Sequence, residues 1–110
     1  MKEFMLIIKG DSRHCSPEEL QIKLGNYQGW MKKWGDSGNY ISGAPFFPEG
    51  KYIDAKANVK ESGDFLSEKE IIGGYVHLKA NDINQATEIA KECPLLNPME
   101  IMVRPFHDMK

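Results

Sequence analysis

The stretch IIGGYVHLKA, residues 71–80, is the clearest strand pattern in the chain. Its apolar and polar side chains alternate, as expected for a strand whose successive residues point to opposite faces of a sheet. One face therefore carries Val76, Leu78 and Ala80, and the other carries Tyr75, His77 and Lys79. The pattern predicts a sheet with an apolar core side and a second side that bears an aromatic ring and a histidine.

Other regions on both sides of this stretch also have strand character. Residues 4–9 form an apolar run without alternation, which is typical of a strand buried on both faces. Residues 40–47 and 51–59 are predicted to pair as a hairpin around a turn at 48–50. Residues 99–105 are predicted to form the last strand, which brings the expected total to five.

Residues 16–34 predict the first helix. Ser16 can accept hydrogen bonds from the first free N–H groups, and Pro17 suits the first helical position. The side chains that share one face at helical spacing are Leu20, Leu24, Tyr27, Met31 and Trp34. This spacing favours core packing, with an aromatic pocket lined by Trp30, Trp34 and Tyr27 as the alternative. Gly25 and Gly29 lie four residues apart, which predicts the close approach of another element on their side of the helix.

A second helix is predicted after the strand at 71–80, with Asn81 or Asp82 as its cap and Pro94 near its end. The element order is then β-α-β-β-β-α-β, in a single domain over residues 1–110. Without one hairpin strand, this is the ferredoxin-like split β-α-β pattern. The predicted fold class is α+β, with both helices on one face of an antiparallel sheet.

The second face of this sheet has no helix to cover it. It would nevertheless carry Tyr75, Met102 and half of the apolar side chains of the first strand. An exposed apolar face of this kind is typical of an interaction surface. Two copies related by a twofold axis can bury it by stacking their sheets face to face. The sequence therefore predicts a homodimer.

Composition narrows the classes of partner. The chain has 14 basic and 16 acidic residues and no basic stripe, which argues against nucleic acid binding. No run approaches the roughly 20 apolar residues of a membrane helix, and no signal-peptide pattern is present, so a cytoplasmic protein is expected. Cys15 and Cys93 form no metal-binding motif and are expected to be free thiols. Gly73-Gly74 lacks the spacing of a nucleotide-binding loop, and no cofactor is predicted.

Residues 62–75, SGDFLSEKEIIGGY, resemble the signature of the YCII-related family, an Asp-Gly-Pro-Phe motif followed by Lys-Glu and Gly-Gly-aromatic. Supporting matches are MKEFM at residues 1–5, Ser-Pro-Glu at 16–18, residues 86–94, and Val-Arg-Pro at 103–105. The likeness covers nearly the whole chain. It implies a dimeric α/β barrel, the assembly already expected from the uncovered sheet face.

Several positions depart from the family pattern. Ser62 stands where the motif has its leading Asp, Asp64 replaces its Pro, and Met102 replaces a Glu that many members carry. Some members also carry a His early in the first helix, paired with an Asp as a proposed acid–base couple. An alignment at Ser16-Pro17 places that His at Glu19. The predicted helix contains no histidine, so the resemblance does not supply this couple here.

His77 is the main candidate for acid–base chemistry. Its unperturbed pKa lies near neutrality, and the alternation places it on the face away from the helices. Asp64 is the candidate carboxylate partner. The alternatives are a structural hydrogen bond across the sheet for His77 and a turn cap for Asp64.

The candidate ligand-binding residues are Arg104, Tyr75, Lys69 and Glu70. Arg104 can bind an anionic group bidentately, or it can pair with Glu100 or Glu70. Lys69 and Glu70 can flank the mouth of a cleft, or they can form a surface ion pair.

Three functions are consistent with these features. The first is a small-molecule enzyme of the acid–base or lyase-like type, with its pocket between the sheet and the helices or between the two copies. The second is a non-catalytic dimer that binds or senses a small ligand. The third is a structural dimer with no small ligand. The family resemblance favours the first two, with the enzyme taken first and the ligand-binding dimer as the alternative, although a shared fold does not by itself determine chemistry.

Overall fold

The computed structural model describes residues 1–10, 15–46, 49–61 and 71–107. Residue 48 of the predicted turn at 48–50 therefore lies outside the described residues, as do residues 62–70 of the family motif. No described helix is both long and apolar enough to cross a membrane. The elements in chain order are β1 Lys2–Lys9, α1 Pro17–Asp36, β2 Tyr40–Pro45, β3 Lys51–Ile53, β4 Val59–Glu61, β5 Ile72–Ala80, α2 Ile83–Lys91 and β6 Glu100–Pro105.

Four of the strands form one antiparallel sheet in the order β2-β5-β1-β6. The alternation predicted for β5 is confirmed, because Val76 and Leu78 are buried while His77 between them is only half-buried. The same alternation continues in β1, where Phe4, Leu6 and Ile8 point into the core. The fold is α+β with an antiparallel sheet and two helices, as expected.

The predicted hairpin between residues 40–47 and 51–59 is wrong. β2 pairs with β5 instead, and residues 51–61 form a separate two-stranded sheet, β3–β4. The reason is local: the Asp54 carboxylate accepts hydrogen bonds from the backbone N–H groups of Lys56 and Asn58, both at 2.9 Å. This side-chain bonding turns the chain inside the predicted strand. The element order therefore contains one strand more than expected.

Both predicted helix starts are present. Ser16 Oγ accepts a hydrogen bond from the Glu19 backbone N–H at 3.1 Å, and Asp82 Oδ1 accepts one from Gln85 at 2.8 Å. Each cap satisfies an N–H group that the helix itself leaves unpaired.

The two helices cover the sheet unequally. α2 lies over β5, β1 and β6 and buries Ala86, Ile89 and Ala90. Among the described elements, α1 comes close to the backbone of β2 alone, and its one fully buried side chain is Trp30. The close approach predicted at Gly25 and Gly29 is absent, because no described atom lies within 4 Å of where their Cβ atoms would be. Both glycines are exposed, so no described element packs on their side of α1.

Candidate functional site

A cavity of about 360 Å³ occupies the space between α1 and the sheet. The residues lining it come from α1, from β2 and the start of β5, and from the segment before β6. They are Ile8, Leu20, Leu24, Tyr27, Gln28, Met31, Gly43, Ala44, Pro45, Phe46, Gly73, Gly74, Leu95 and Met99. All of these residues are uncharged, and most are apolar. Such a surface suits an apolar small molecule.

Glycines form the floor of the cavity. A Cβ atom at Gly43 would lie 2.7 Å from the Tyr40 hydroxyl oxygen and 3.1 Å from that of Tyr27. A Cβ atom at Gly74 would lie 2.8 Å from the carbonyl oxygen of Ala44. Larger residues at either position would collide with these atoms, so glycine lets the two tyrosine hydroxyls and the β2–β5 backbones approach closely.

Two tyrosine hydroxyls are the main polar groups near this floor. The Tyr27 and Tyr40 oxygens lie 3.4 Å apart, and either group can be the donor. Burial, followed by the hydrogen bond with Tyr40, raises the pKa of Tyr27 above its ordinary value. Trp30 stacks on the Tyr27 ring with centroids 5.6 Å apart and meets the Tyr40 ring edge-on at 6.0 Å. Tyr27 is therefore a rigidly held, protonated phenol at neutral pH.

A hydrogen bond joins α1 to the segment that leads into β6. Lys23 Nζ donates to the backbone carbonyl of Asn97 at 2.6 Å. Leu95 and Met99 of this segment line the cavity, as does Leu24, next to Lys23 in α1. This hydrogen bond therefore joins α1 to the segment before β6, which are two of the elements that line the cavity.

His77 lies on the opposite face of the sheet from the cavity. Its Nε2 is 2.8 Å from Glu3 Oε1, and its ring stacks on Phe106 with centroids 4.8 Å apart. Within the described part of the chain, the other ring nitrogen has no hydrogen-bond partner. A carboxylate on one nitrogen leaves the second nitrogen available for proton transfer.

The structure brings part of the predicted site together. Met5 of β1 pairs with both His77 and Arg104, so these two side chains flank it on one face. Tyr75 is half-buried, with its ring 5.9 Å from that of Phe46. Arg104 is exposed and has no ion pair with any described residue, so neither Glu100 nor another described carboxylate holds it.

The remaining predicted site residues, Asp64, Lys69 and Glu70, lie outside the described residues. Their roles stay predictions. The carboxylate that does reach His77 within the described chain is Glu3, which the sequence analysis did not single out. Glu3 precedes Met5 by two residues and so shares its face, but only the β1–β5 register shows that it reaches His77.

The alternative of an aromatic pocket lined by Trp30, Trp34 and Tyr27 holds for one of the three residues, because neither tryptophan lines the cavity and Trp30 is buried in the core. Tyr27 does line it, whereas the helical spacing alone favoured burial. The missed signal was the glycines of β2 and β5, which carry no side chain to fill the space beneath α1.

Comparison with known proteins places the fold. A similar solved structure is that of 5-chloro-2-hydroxyhydroquinone dehydrochlorinase from Burkholderia phenoliruptrix AC1100, in complex with 2,5-dihydroxybenzoquinone. The two share 14% sequence identity and a TM-score of 0.50, over 94% of this chain and 93% of that one, a likeness that shows the fold alone. No curated protein matches the sequence. The profile of the YCII-related domain matches residues 3–110, and the chain therefore belongs to the YCII-related family.

Proposed function

We propose that the protein is a homodimeric small-molecule enzyme of the acid–base, lyase-like type that binds its substrate in the cavity beneath α1. The observation that carries this proposal is the cavity itself. Its volume of about 360 Å³ lies within the usual range for ligand sites, roughly 300–1,000 Å³. Because all the described lining residues are uncharged, the substrate is a neutral, largely apolar molecule about the size of one substituted ring.

The structural neighbour supports the reaction class. Its name is that of a dehydrochlorinase, and it is bound to a quinone. For a chlorinated hydroquinone, one hydroxyl proton first moves to the C–Cl carbon, which gives a keto tautomer. A base then removes a second hydroxyl proton, the electrons of that O–H bond form a second carbonyl, a ring double bond shifts to the C–Cl carbon, and chloride leaves with the electrons of the C–Cl bond to give a quinone. An apolar cavity favours this chemistry because it excludes water that would compete with the base.

The base in this proposal is the Asp64 carboxylate. Asp64 precedes Gly73, which lines the cavity, by nine residues in the sequence, and Lys69 and Glu70 lie nearer still. Lys69 and Glu70 are proposed to bind the substrate at the cavity mouth. The role of Asp64 follows from its sequence position, and those of Lys69 and Glu70 also from the Lys-Glu of the family motif.

Binding can be tested with tetramethyl-1,4-benzoquinone as the probe, because it is a neutral quinone at all pH values and its fully substituted ring resists addition of thiols. The wild-type chain should show a rise in Tm that grows with probe concentration, because a ligand that binds the native state stabilises it. Leu24→Trp should abolish the rise by filling the cavity. Ile22→Trp is the matched control, because Ile22 lies on the same helix, is 65% exposed and does not line the cavity. Equal responses from the two variants would exclude the cavity as the site.

Turnover can be tested with 5-chloro-2-hydroxyhydroquinone by measuring chloride release. The wild type should release chloride, and Asp64→Asn should lose at least about 100-fold in rate while keeping the Tm response, as expected for the loss of a general base. Binding of the quinone without turnover of this or related chlorinated rings would identify a non-catalytic ligand-binding dimer instead.

A second candidate site is the open face of the sheet. The observation that favours this site is the hydrogen bond between His77 and Glu3. In this version a second copy covers the face, His77 transfers the proton and Arg104 binds an anionic group. His77→Ala would then abolish chloride release, whereas Leu24→Trp would leave it unchanged. The opposite pattern supports the cavity.

A further inference from the structure

The two hydroxyl groups of Tyr27 and Tyr40 can donate two hydrogen bonds, but only one is made between them. The two hydroxyls carry two protons, and the hydrogen bond between them, at 3.4 Å, uses one. Among the described residues, neither oxygen has any other hydrogen-bond partner. One O–H group is therefore left to donate to something else.

The surroundings of this group point to a ligand. Tyr27 and Gly43 both line the cavity, and both tyrosine oxygens lie beside Gly43, with Tyr40 Oη 2.7 Å and Tyr27 Oη 3.1 Å from the position of a Cβ atom there. Most of the lining is apolar. A donor without an acceptor in such a place is costly, and an acceptor on a bound molecule removes the cost.

We propose that the Tyr27–Tyr40 pair donates a hydrogen bond to a carbonyl oxygen of the bound molecule, so that the cavity selects neutral ring compounds that carry a ketone or quinone carbonyl. This inference rests on the cavity being the ligand site of the proposed function. It goes further by naming the polar group that the ligand must present and the two residues that recognise it.

The electrostatics of the pair favour a carbonyl over other oxygen groups. Burial raises the pKa of Tyr27, so the phenol stays protonated and acts as a donor at neutral pH. All the described lining residues are uncharged, so no described lining side chain neutralises a carboxylate in the cavity. A neutral acceptor loses little hydration on entry, whereas an anion would lose much more.

An isosteric pair of probes tests this recognition. Acetophenone and α-methylstyrene have the same shape, but only acetophenone carries an oxygen acceptor. An NMR titration of the full chain gives the ratio of the two affinities. This ratio should favour acetophenone about tenfold more in the wild type than in a variant without the two hydroxyls, as expected for one buried hydrogen bond. The carbonyl carbon resonance of bound ¹³C-labelled acetophenone should also lie further downfield in the wild type than in that variant.

The variant is Tyr27→Phe with Tyr40→Phe, and it should lower the affinity ratio about tenfold and move the bound carbonyl resonance upfield. Tyr52→Phe, on β3 away from the cavity, should leave both values at those of the wild type. A ratio and a resonance that are unchanged by the double substitution overturn the inference while leaving the cavity as a ligand site. If Leu24→Trp fails to weaken acetophenone binding, the proposed site and this inference fall together.

Discussion

At the scale of single residues, Gly43 makes the sharpest steric demand. In Gly43→Ala, the new Cβ would lie 2.7 Å from the Tyr40 hydroxyl and 2.9 Å from the Tyr75 carbonyl oxygen, and the latter belongs to the backbone of the paired strand. We expect the free energy of unfolding to fall by about 1–3 kcal/mol in urea titrations. Gly25→Ala is the control, since open space surrounds it in α1, and it should raise the free energy by about 0.5–1 kcal/mol. An unchanged midpoint for Gly43→Ala would contradict the close packing at β2.

Asp54 is the residue whose charge controls the β3–β4 turn. Hydrogen bonds from the backbone of Asn58 and then Lys56 lower the pKa of Asp54 below its ordinary value. Because the folded pKa is lower than the unfolded one, the carboxylate stabilises the turn above the unfolded pKa. This contribution is lost as the pH falls through the folded pKa.

We therefore expect the amide resonances of Lys56 and Asn58 to titrate with the lowered pKa of Asp54 in an NMR pH series. Asp54→Asn keeps a hydrogen-bond acceptor and should remove the titration. A midpoint at or above the value of an unstructured Asp would show that the carboxylate does not hold the turn.

His77 shows what the sequence can and cannot predict for a site. Alternation along one strand is enough to place it on the face away from the helices, because the side-chain period of a strand is two. Its partner depends on the register between β1 and β5, in which Glu3 pairs with Lys79 and Met5 with His77. Register is a property of two strands, so the contact between His77 and Glu3 was not predictable from either strand alone.

At the scale of elements, α1 packs on the core mainly through its second half, where Trp30 is buried and Met31 and Trp34 lie against the same core cluster. Trp30 is 5% exposed, and its Nε1 donates to the carbonyl of Ile89 in α2 at 3.1 Å. In the preceding turns Leu24 is 42% exposed above the cavity. The two parts of the same helix therefore differ in how much packing holds them.

We expect the backbone amides of residues 21–25 to exchange with solvent faster than those of residues 30–34, because local opening near the cavity breaks fewer apolar contacts. Hydrogen exchange followed by NMR measures both sets in one sample. Saturating tetramethyl-1,4-benzoquinone should slow the first set more than the second. Equal exchange in both sets would mean that α1 opens as one unit.

The elements themselves were more predictable than their pairing. The caps at Ser16 and Asp82 and the alternation of β5 are local, and each is present as expected. The hairpin was wrong because Asp54 and Asn58 carry turn information inside an otherwise strand-like run. An Asp side chain can accept hydrogen bonds from backbone N–H groups a few residues later, and Asp54 was therefore the signal of a turn inside this run.

At the scale of the whole molecule, the unequal faces of the sheet support the proposed homodimer. The molecule is flat, about 45 × 41 × 18 Å, with both helices on one side. On the other side, Ile7 pairs with both Tyr75 and Met102, and Met102 is 40% exposed. If two copies stack these faces around a twofold axis, Ile7, Tyr75 and Met102 of each copy are buried against the same side chains of the other.

Met102→Glu tests this arrangement, because it places a carboxylate among these side chains and, by symmetry, a second one in the facing copy. Truncation of a central apolar contact costs about 2 kcal/mol or more at well-packed interfaces, and an unpaired buried charge costs more. We expect sedimentation velocity at micromolar concentration to show a dimer for the wild type and a monomer for Met102→Glu. Ile22→Glu, at a more exposed apolar position on α1, should remain dimeric. If the wild type is a monomer, Ile7, Tyr75 and Met102 are not covered by a second copy, and the face that carries His77 is not a site shared between two copies. That result would not affect the proposal that the cavity beneath α1 binds the ligand.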